Sequence, residues 1–459
     1  MELEKYHAIY SSFWSAAEQR GFSYHYLRGL LDPEISRKSA ENIALATLGS
    51  ESVRQMQHFV GQSNWRDDGI IAEHRRQIGL TLGAVNGVII LDGSDCPKQG
   101  GNSVGVQRQW CGGPSGRPGK VANCQAGVYL GYSSAQGYSL LDRRLFMPEG
   151  WFTPEYAKRR YQCRVPIDLT FQTKNQLAWE MIRELREADT LPARWITMDE
   201  AFGRDSKLLD RIDGETDYYY LAEVPKDTQI WLQEPETRVP EYTGVGRPPT
   251  RLRLATDATE PLTVEQVAAQ LAPDAWELHA LKEGAKGLII AEIALCRVVA
   301  VRDGLPGPAV WLLLRRSPSD PQEIHYFLSN APAEMAADEL IEVCALRWPI
   351  ETMFEQAKQL VGLNEYETRT WFGWHHHMTL VILAFGFLAR CQLALKPDSP
   401  ALTVPQIVDL LKAVLPRPEF DAQAAIDLLR YKQSRIARAK KSHYQMQKKR
   451  VIDPLLVPQ

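Results

Sequence analysis

The chain lacks several features that would settle its class at once. No charge of one sign dominates: among 459 residues, 53 Lys and Arg stand against 56 Asp and Glu, for a net charge of −3. This excludes a protein that coats nucleic acid through bulk positive charge, so any DNA affinity must come from local patches. The seven cysteines, at 96, 111, 124, 163, 296, 344 and 391, are odd in number, scattered and without a C-x-x-C pair. That argues against a disulfide framework or a zinc site and predicts reduced, structural thiols. The opening Met1-Glu2-Leu3-Glu4-Lys5 lacks the apolar run of a signal peptide. The longest apolar stretch, 378–389, is too short for a bilayer and predicts a buried helix. Together these absences predict a cytoplasmic protein with no membrane partner. No internal repeat is present.

What remains is ordinary for a soluble globular protein, with 44% hydrophobic and 24% charged residues and room for two to four domains. Residues 1–78 read as a helical N-terminal domain. Within it, 36–47 and 51–61 carry helical apolar spacing about the turn Leu48-Gly49-Ser50, which fits a helix-turn-helix and a plain helical packing unit equally well. From about 79 the pattern becomes strands alternating with helices: strands at 88–91, 124–133, 138–147, 194–198 and 218–224, and a helix at 174–188. This predicts an α/β sheet covered on both faces. A Pro-, Gly- and Thr-rich stretch, 226–330, breaks the rhythm and reads as a mostly β insertion. The core then spans 79–225 and 331–395, and 396–459 forms a helical, basic C-terminal region.

Two acids follow short apolar runs: Asp92 after Val88-Ile89-Ile90-Leu91, and Asp199 after Trp195-Ile196-Thr197-Met198. Open α/β sheets bind ligands beyond their carboxyl strand ends, and two acids there suit hard cations such as Mg²⁺ or Mn²⁺. Each is equally what a turn or helix cap requires, and Asp95 and Glu200 compete for the same role. A third group lies on a helix, where Glu351, Glu355 and Lys358 recur at i, i+4, i+7 and share one face. Arg347 would join them were it not for Pro349, which kinks the helix or begins a new one. A solvated amphipathic face accounts for this spacing as well.

These residues resemble a known family. Arg347, Glu351 and Lys358 fit the Tyr-x2-Arg-x3-Glu-x6-Lys signature of bacterial insertion-sequence transposases with a DDE triad, with Cys344 in the Tyr position. Asp92-Gly93-Ser94 is similar to the strand end that bears the family's first acid. Asp199-Glu200-Ala201-Phe202-Gly203 is similar to its Asp-x-x-Tyr-Gly box, with Phe for Tyr. The runs Cys96-Pro97-Lys98-Gln99-Gly100, Ser103 to Trp110 and Asn123-Cys124-Gln125, then Gly362 to Glu367 with Trp374 and His377, resemble the branch described as DDE superfamily endonucleases.

The resemblance implies a ribonuclease H-like mixed sheet flanked by helices, split by the β insertion that separates Asp199 from Glu351. It implies a catalytic triad of Asp92, Asp199 and Glu351 holding two Mg²⁺ or Mn²⁺ ions. Arg347, Lys358 and Lys98 are expected to hold DNA phosphates, with Arg438, Lys440 and Lys441 from the basic stretch 430–450. The implied partners are double-stranded DNA, as transposon terminal repeats and target, and a second copy in a homodimer. The implied place is the nucleoid. A regulator without catalysis and a nuclease without strand transfer are the competing functions.

Three other features carry plainer expectations. Gly246-Arg247-Pro248 fits a minor groove but more simply a loop, and Trp231 and Trp311 fit a core better than a flipped base. His375-His376-His377 cannot converge on one metal, since adjacent helical side chains diverge by about 100°.

Overall fold

A computed structural model describes residues 2–112, 119–241, 247, 249–284, 287–347, 349–399, 401–415 and 421–448. Gly246 and Pro248 lie outside the described residues, as do Trp348, Lys449 and Arg450.

Five helices come first: α1 (Glu2–Ile9), α2 (Ala17–Leu31), α3 (Ala40–Thr47), α4 (Val53–Gly61) and α5 (Asp67–Thr81). Ser39 caps α3 by accepting from the Asn42 N–H at 3.4 Å, and Gly49 turns the chain toward α4 at a φ of +99°. The chain then enters a mixed sheet through β1 (Val88–Pro97), β2 (Gln107–Cys111), β3 (Lys120–Ser134) and β4 (Gly137–Phe146). After α6 (Ala157–Gln162) and α7 (Lys174–Ala188) come β5 (Trp195–Met198), α8 (Glu200–Gly203), α9 (Ser206–Glu215) and β6 (Tyr219–Val224). Strands β1 and β5, and β5 and β6, pair in parallel, while β3 runs antiparallel to β1 and to β4. The order β4-β3-β1-β5-β6 forms the mixed core expected of a ribonuclease H-like sheet, with helices on both faces.

The 226–330 stretch is β-rich as expected, but its main strands are not a separate sheet. They are β7 (Gln229–Trp231), β8 (Thr237–Arg238), β9 (Arg253–Leu254), β10 (Leu262–Thr263), β11 (Glu277–Gly284), β12 (Gly287–Arg302), β13 (Leu305–Ser317) and β14 (Asp320–Ser329), with α10 (Val264–Gln270) among them. Strand β14 pairs with β6, and β13, β12, β7 and β10 continue outward, giving a sheet of 12 strands; β8 and β9 alone pair apart. The edge that β6 would otherwise expose is thereby covered.

The 336–395 segment yields α11 (Ala337–Arg347), α12 (Pro349–Leu360) and α13 (Trp371–Leu395), followed by α14 (Val404–Val414) and α15 (Ala422–Gln447). Helix α11 is described to Arg347 and α12 from Pro349; the break expected at the proline falls on Trp348, outside the described residues. Alternation along β1 separates two cores. Val88 and Ile90 join α11–α13 and the N-terminal helices, while Ile89 and Leu91 join α7 and α9. The stretch 378–389 sits within α13, a helix of 25 residues that is long and apolar enough to cross a membrane by composition alone. It packs instead against β4, α2, α4, α5 and α14, with every residue from 378 to 389 buried. Adjacent helical histidines diverge as expected. His376 reaches the carbonyls of Val60 and Trp65, and His377 the hydroxyl of Tyr26 and the carbonyl of Gly362, stapling the N-terminal helices to α13.

Candidate active site

The last parallel pairs across the middle of the sheet are Leu91 with Met198 and Met198 with Ala222. One residue further along stand Asp92 on β1, Asp199 just past the end of β5 and Glu223 on β6, three neighbours in a row. The sequence predicts that β1 ends at Asp92; it continues to Pro97, because β3 pairs with it along the whole length. What ends at Leu91 is the pairing with β5, and this opens the sheet beside Asp92. Ile90, Trp195 and Leu221 belong to the core on the α11–α13 side. Two or four residues on, the three acids face that same side. Asp95 falls on the other face of β1 and accepts from the Gly112 N–H at 2.8 Å. Glu200 lies exposed, 3.5 Å from Arg204.

Asp92 is partly buried and accepts from the Gly93 N–H at 2.6 Å. Burial, then the charge of Asp199, push its carboxyl up to about 8; Arg347 opposes them and Glu351 adds to the rise. Asp199 is raised too, chiefly by burial, with Arg347 opposing. It also caps α8, accepting from the Phe202 N–H at 3.3 Å, so the cap reading and the site reading hold together. Arg347, at the end of α11, feels the charges of Glu223, Asp92 and Asp199 in turn. Glu223 Oε2 lies 3.0 Å from Arg347 Nη2, and Oε1 lies 2.8 Å from His325 Nδ1 of β14. Burial raises the Glu223 carboxyl, but the His325 hydrogen bond and the Arg347 charge overcome it and hold the group below the ordinary range.

Helix α12 crosses this face. It seats on Gly131 of β3, where a Cβ would stand 2.9 Å from Ile350 Cδ1, so only a bare backbone admits so close an approach. Glu351 is exposed on α12 and has no side-chain partner among the described residues, whereas Glu355 accepts from Gln359 at 3.1 Å. Glu351 adds its charge to the rise at Asp92. Lys358, on the same helix, has its Nζ 6.0 Å from the Phe354 ring. Lys98 is engaged elsewhere: its Nζ lies 3.4 Å over the Tyr366 ring and donates to the Tyr366 carbonyl at 3.3 Å. Arg438, Lys440 and Lys441 stand exposed on α15, apart from the acids. Trp231, in the core, donates to the carbonyl of Thr259, and Trp311, half-buried on the interior strand β13, to that of Pro332.

A family profile described as DDE superfamily endonuclease matches residues 10–288. The chain belongs to the DDE superfamily endonucleases. The matched segment of this DDE endonuclease takes in Asp92, Asp199 and Glu223 and stops before α11 and α12, so Arg347, Glu351 and Lys358 stand outside it. No curated protein matches the chain. Among solved structures, it is similar to a piggyBac transposase in a synaptic complex with hairpin DNA, at 9% identity and a TM-score of 0.43, over 87% of this chain and 70% of that one.

Two residues escaped the sequence reading. Glu223 had one signal, a lone acid inside the strand Tyr219-Tyr220-Leu221-Ala222-Glu223-Val224. His325 had none, since nothing local says that β14 lies beside β6. Among the described residues no three acidic, histidine or cysteine side chains form a ready metal cluster, so Asp92 and Asp199 are a pair that Glu351 does not yet join.

Proposed function

We propose that the protein is a DNA transposase that binds transposon ends, nicks them and joins the freed 3′-hydroxyl to target DNA. The observation that carries this reading is the register: two carboxylates side by side at parallel strand ends, both raised chiefly by burial, inside a DDE endonuclease family match. An oxygen-only, half-buried pair whose charge is offset only in part by Arg347 fits hard divalent cations. Asp92 and Asp199 would hold two Mg²⁺ or Mn²⁺ ions, with Glu351 as the third ligand once its exposed side chain turns inward. Such ions, when bound, lower the pKa of water and offset charge at the scissile phosphate.

The chain's own residues position the DNA. In nicking, a water oxygen attacks phosphorus while the bond to the 3′-oxygen breaks. In joining, that 3′-oxygen loses its proton and attacks a target phosphorus, while the target's own bond from phosphorus to its 3′-oxygen breaks and that leaving oxygen takes up a proton. Arg347 and Lys358 hold phosphates at this point, Arg as a planar fork and Lys as a point charge. End binding falls to the far side of the N-terminal helices. Helix α4 turns Arg54, Gln55, Gln57 and His58 outward, with no acid among them, and Gln62 is exposed just past its end. These are side chains that read base edges in a major groove. They face Tyr431, Arg435 and Arg438 of α15 across a groove of about 1120 Å³ that Glu18, Glu41 and Glu51 also line, with Arg435 paired to Glu41. A second copy would hold the second end.

The test is a paired-end DNA substrate scored for nicking, joining and binding with Asp92→Asn and Asp199→Asn. Each variant should lose at least ~10³-fold in nicking while end affinity stays within about threefold. Retained cutting would remove the strand-end pair from the chemistry. Nicking by the wild type without joining would leave a nuclease.

A further inference from the structure

We propose that Glu223, braced by His325, is the positioning residue for Arg347, so that the β insertion sets part of the reactive centre. The inference rests on the reading of Asp92 and Asp199 as the reactive pair. Glu223 stands one residue past the last β5–β6 pair, as Asp92 and Asp199 stand one residue past the last β1–β5 pair, yet it is not equivalent to them. Both its oxygens are taken, Oε1 by His325 and Oε2 by Arg347, so it has no free oxygen directed at a cation. Its place in the row serves a different purpose: it anchors a guanidinium.

Arg347 needs such an anchor. It is the last residue of α11, its side chain is only 14% exposed, and its Nε is buried without a hydrogen-bond partner. A long side chain in that setting has many rotamers to lose, and a carboxylate at 3.0 Å selects one of them. The selected one lies within the field of both Asp92 and Asp199.

Glu223 is in turn fixed from the insertion. Phe327 of β14 pairs with Glu223, and His325, two residues away, points to the same side of the sheet. Arg315 of β13 pairs with His325, adds its charge to Glu223, and its Nη1 lies 3.7 Å from Cys344 Sγ on α11. Two insertion strands thus grip the end of the helix that carries Arg347. The grip falls between the segment that bears Asp199 and the helix that bears Glu351.

A double-mutant cycle on the full chain, with a paired-end DNA duplex and Mg²⁺, tests this. Glu223→Gln keeps the shape and loses the charge. It should cut the nicking kcat ~10–100-fold, leave KM for DNA within about threefold, and add little to the loss caused by Arg347→Ala. His325→Gln, which keeps a donor, should lose less than His325→Leu. Full nicking by Glu223→Gln overturns the inference, and so does a loss that adds in full to that of Arg347→Ala. Should Glu223→Gln fail to fold, the two His325 variants decide. A crystal structure of Glu223→Gln gives a readout free of activity: Arg347 should leave its place, and an unmoved guanidinium overturns the inference. A wild type that never nicks would overturn the reading of the aspartates instead, leaving the structural arm to judge Glu223.

Discussion

Placing two carboxylates side by side at a half-buried strand end sets them against each other, and Asp92 shows the cost. Its carboxyl stands at about 8 in the folded protein against 3.8 in the open chain. Below pH 3.8 both states hold the proton; between there and about 8 only the folded state does. Folded stability therefore falls as pH rises through that window and levels off above it. Asp92→Asn should accordingly stabilise the metal-free protein at pH 7, by ~1–3 kcal/mol after allowance for partial exposure, and the gain should vanish near pH 4. Urea unfolding in the presence of a chelator at the two pH values measures it. Equal stabilities at both would mean that the Asp92–Asp199 pair carries no such strain. On the proposed reading of Asp92, a reactive group whose removal strengthens the fold is the expected trade between stability and activity.

At the scale of elements, legibility followed the range of the interactions involved. The runs 88–91 and 195–198 were readable because a strand covered on both faces must be continuously apolar. Helix α7 was readable to the residue, since Thr173 and Gln176 form a capping box that marks its start. The continuation of β1 through Asp92-Gly93-Ser94 was not readable, because that tripeptide alone favours a turn and only the neighbouring β3 holds it extended. Glu223 escaped for a similar reason, as the register between β5 and β6 is a long-range fact. The basic helix α15 was legible throughout, and it carries a prediction of its own. Its 26 residues extend ~39 Å, none of them is buried, and Lys440 and Lys441 have no partner among the described residues. Lys440→Ala with Lys441→Ala should weaken DNA binding by a similar factor for every sequence and flatten the salt dependence by about 2 in slope. Anisotropy titrations on end and unrelated duplexes across salt concentrations would show it. A loss confined to the end sequence would instead make α15 a reader of bases.

At the scale of the molecule, the helical N-terminal segment and the α/β core share one hydrophobic cluster, running from Leu3 and Trp14 through α13 to Met353 and Leu411. A buried ionic knot reinforces it. Asp142 of β4 is wholly buried among Arg75 of α5, Arg143 and Arg144, while Arg143 also pairs with Asp67 at the start of α5. Glu184 of α7 closes the knot, 2.7 Å from Arg144 and 3.2 Å from Arg75. Three cations around one carboxylate make that carboxylate indispensable, because its removal leaves buried positive charges facing one another. Asp142→Ala should therefore cost ~3–5 kcal/mol. Since the knot joins α5, β4 and α7, the loss should fall on the whole molecule and not on the N-terminal helices alone. Trp14 and Trp65 report on those helices and Trp195 on the sheet, all three buried. Single-tryptophan variants should give coincident urea transitions, shifted together by Asp142→Ala. If the N-terminal reporters unfolded first while Trp195 kept its midpoint, the helices would be a separable unit and the shared core would not bind the two halves into one cooperative fold.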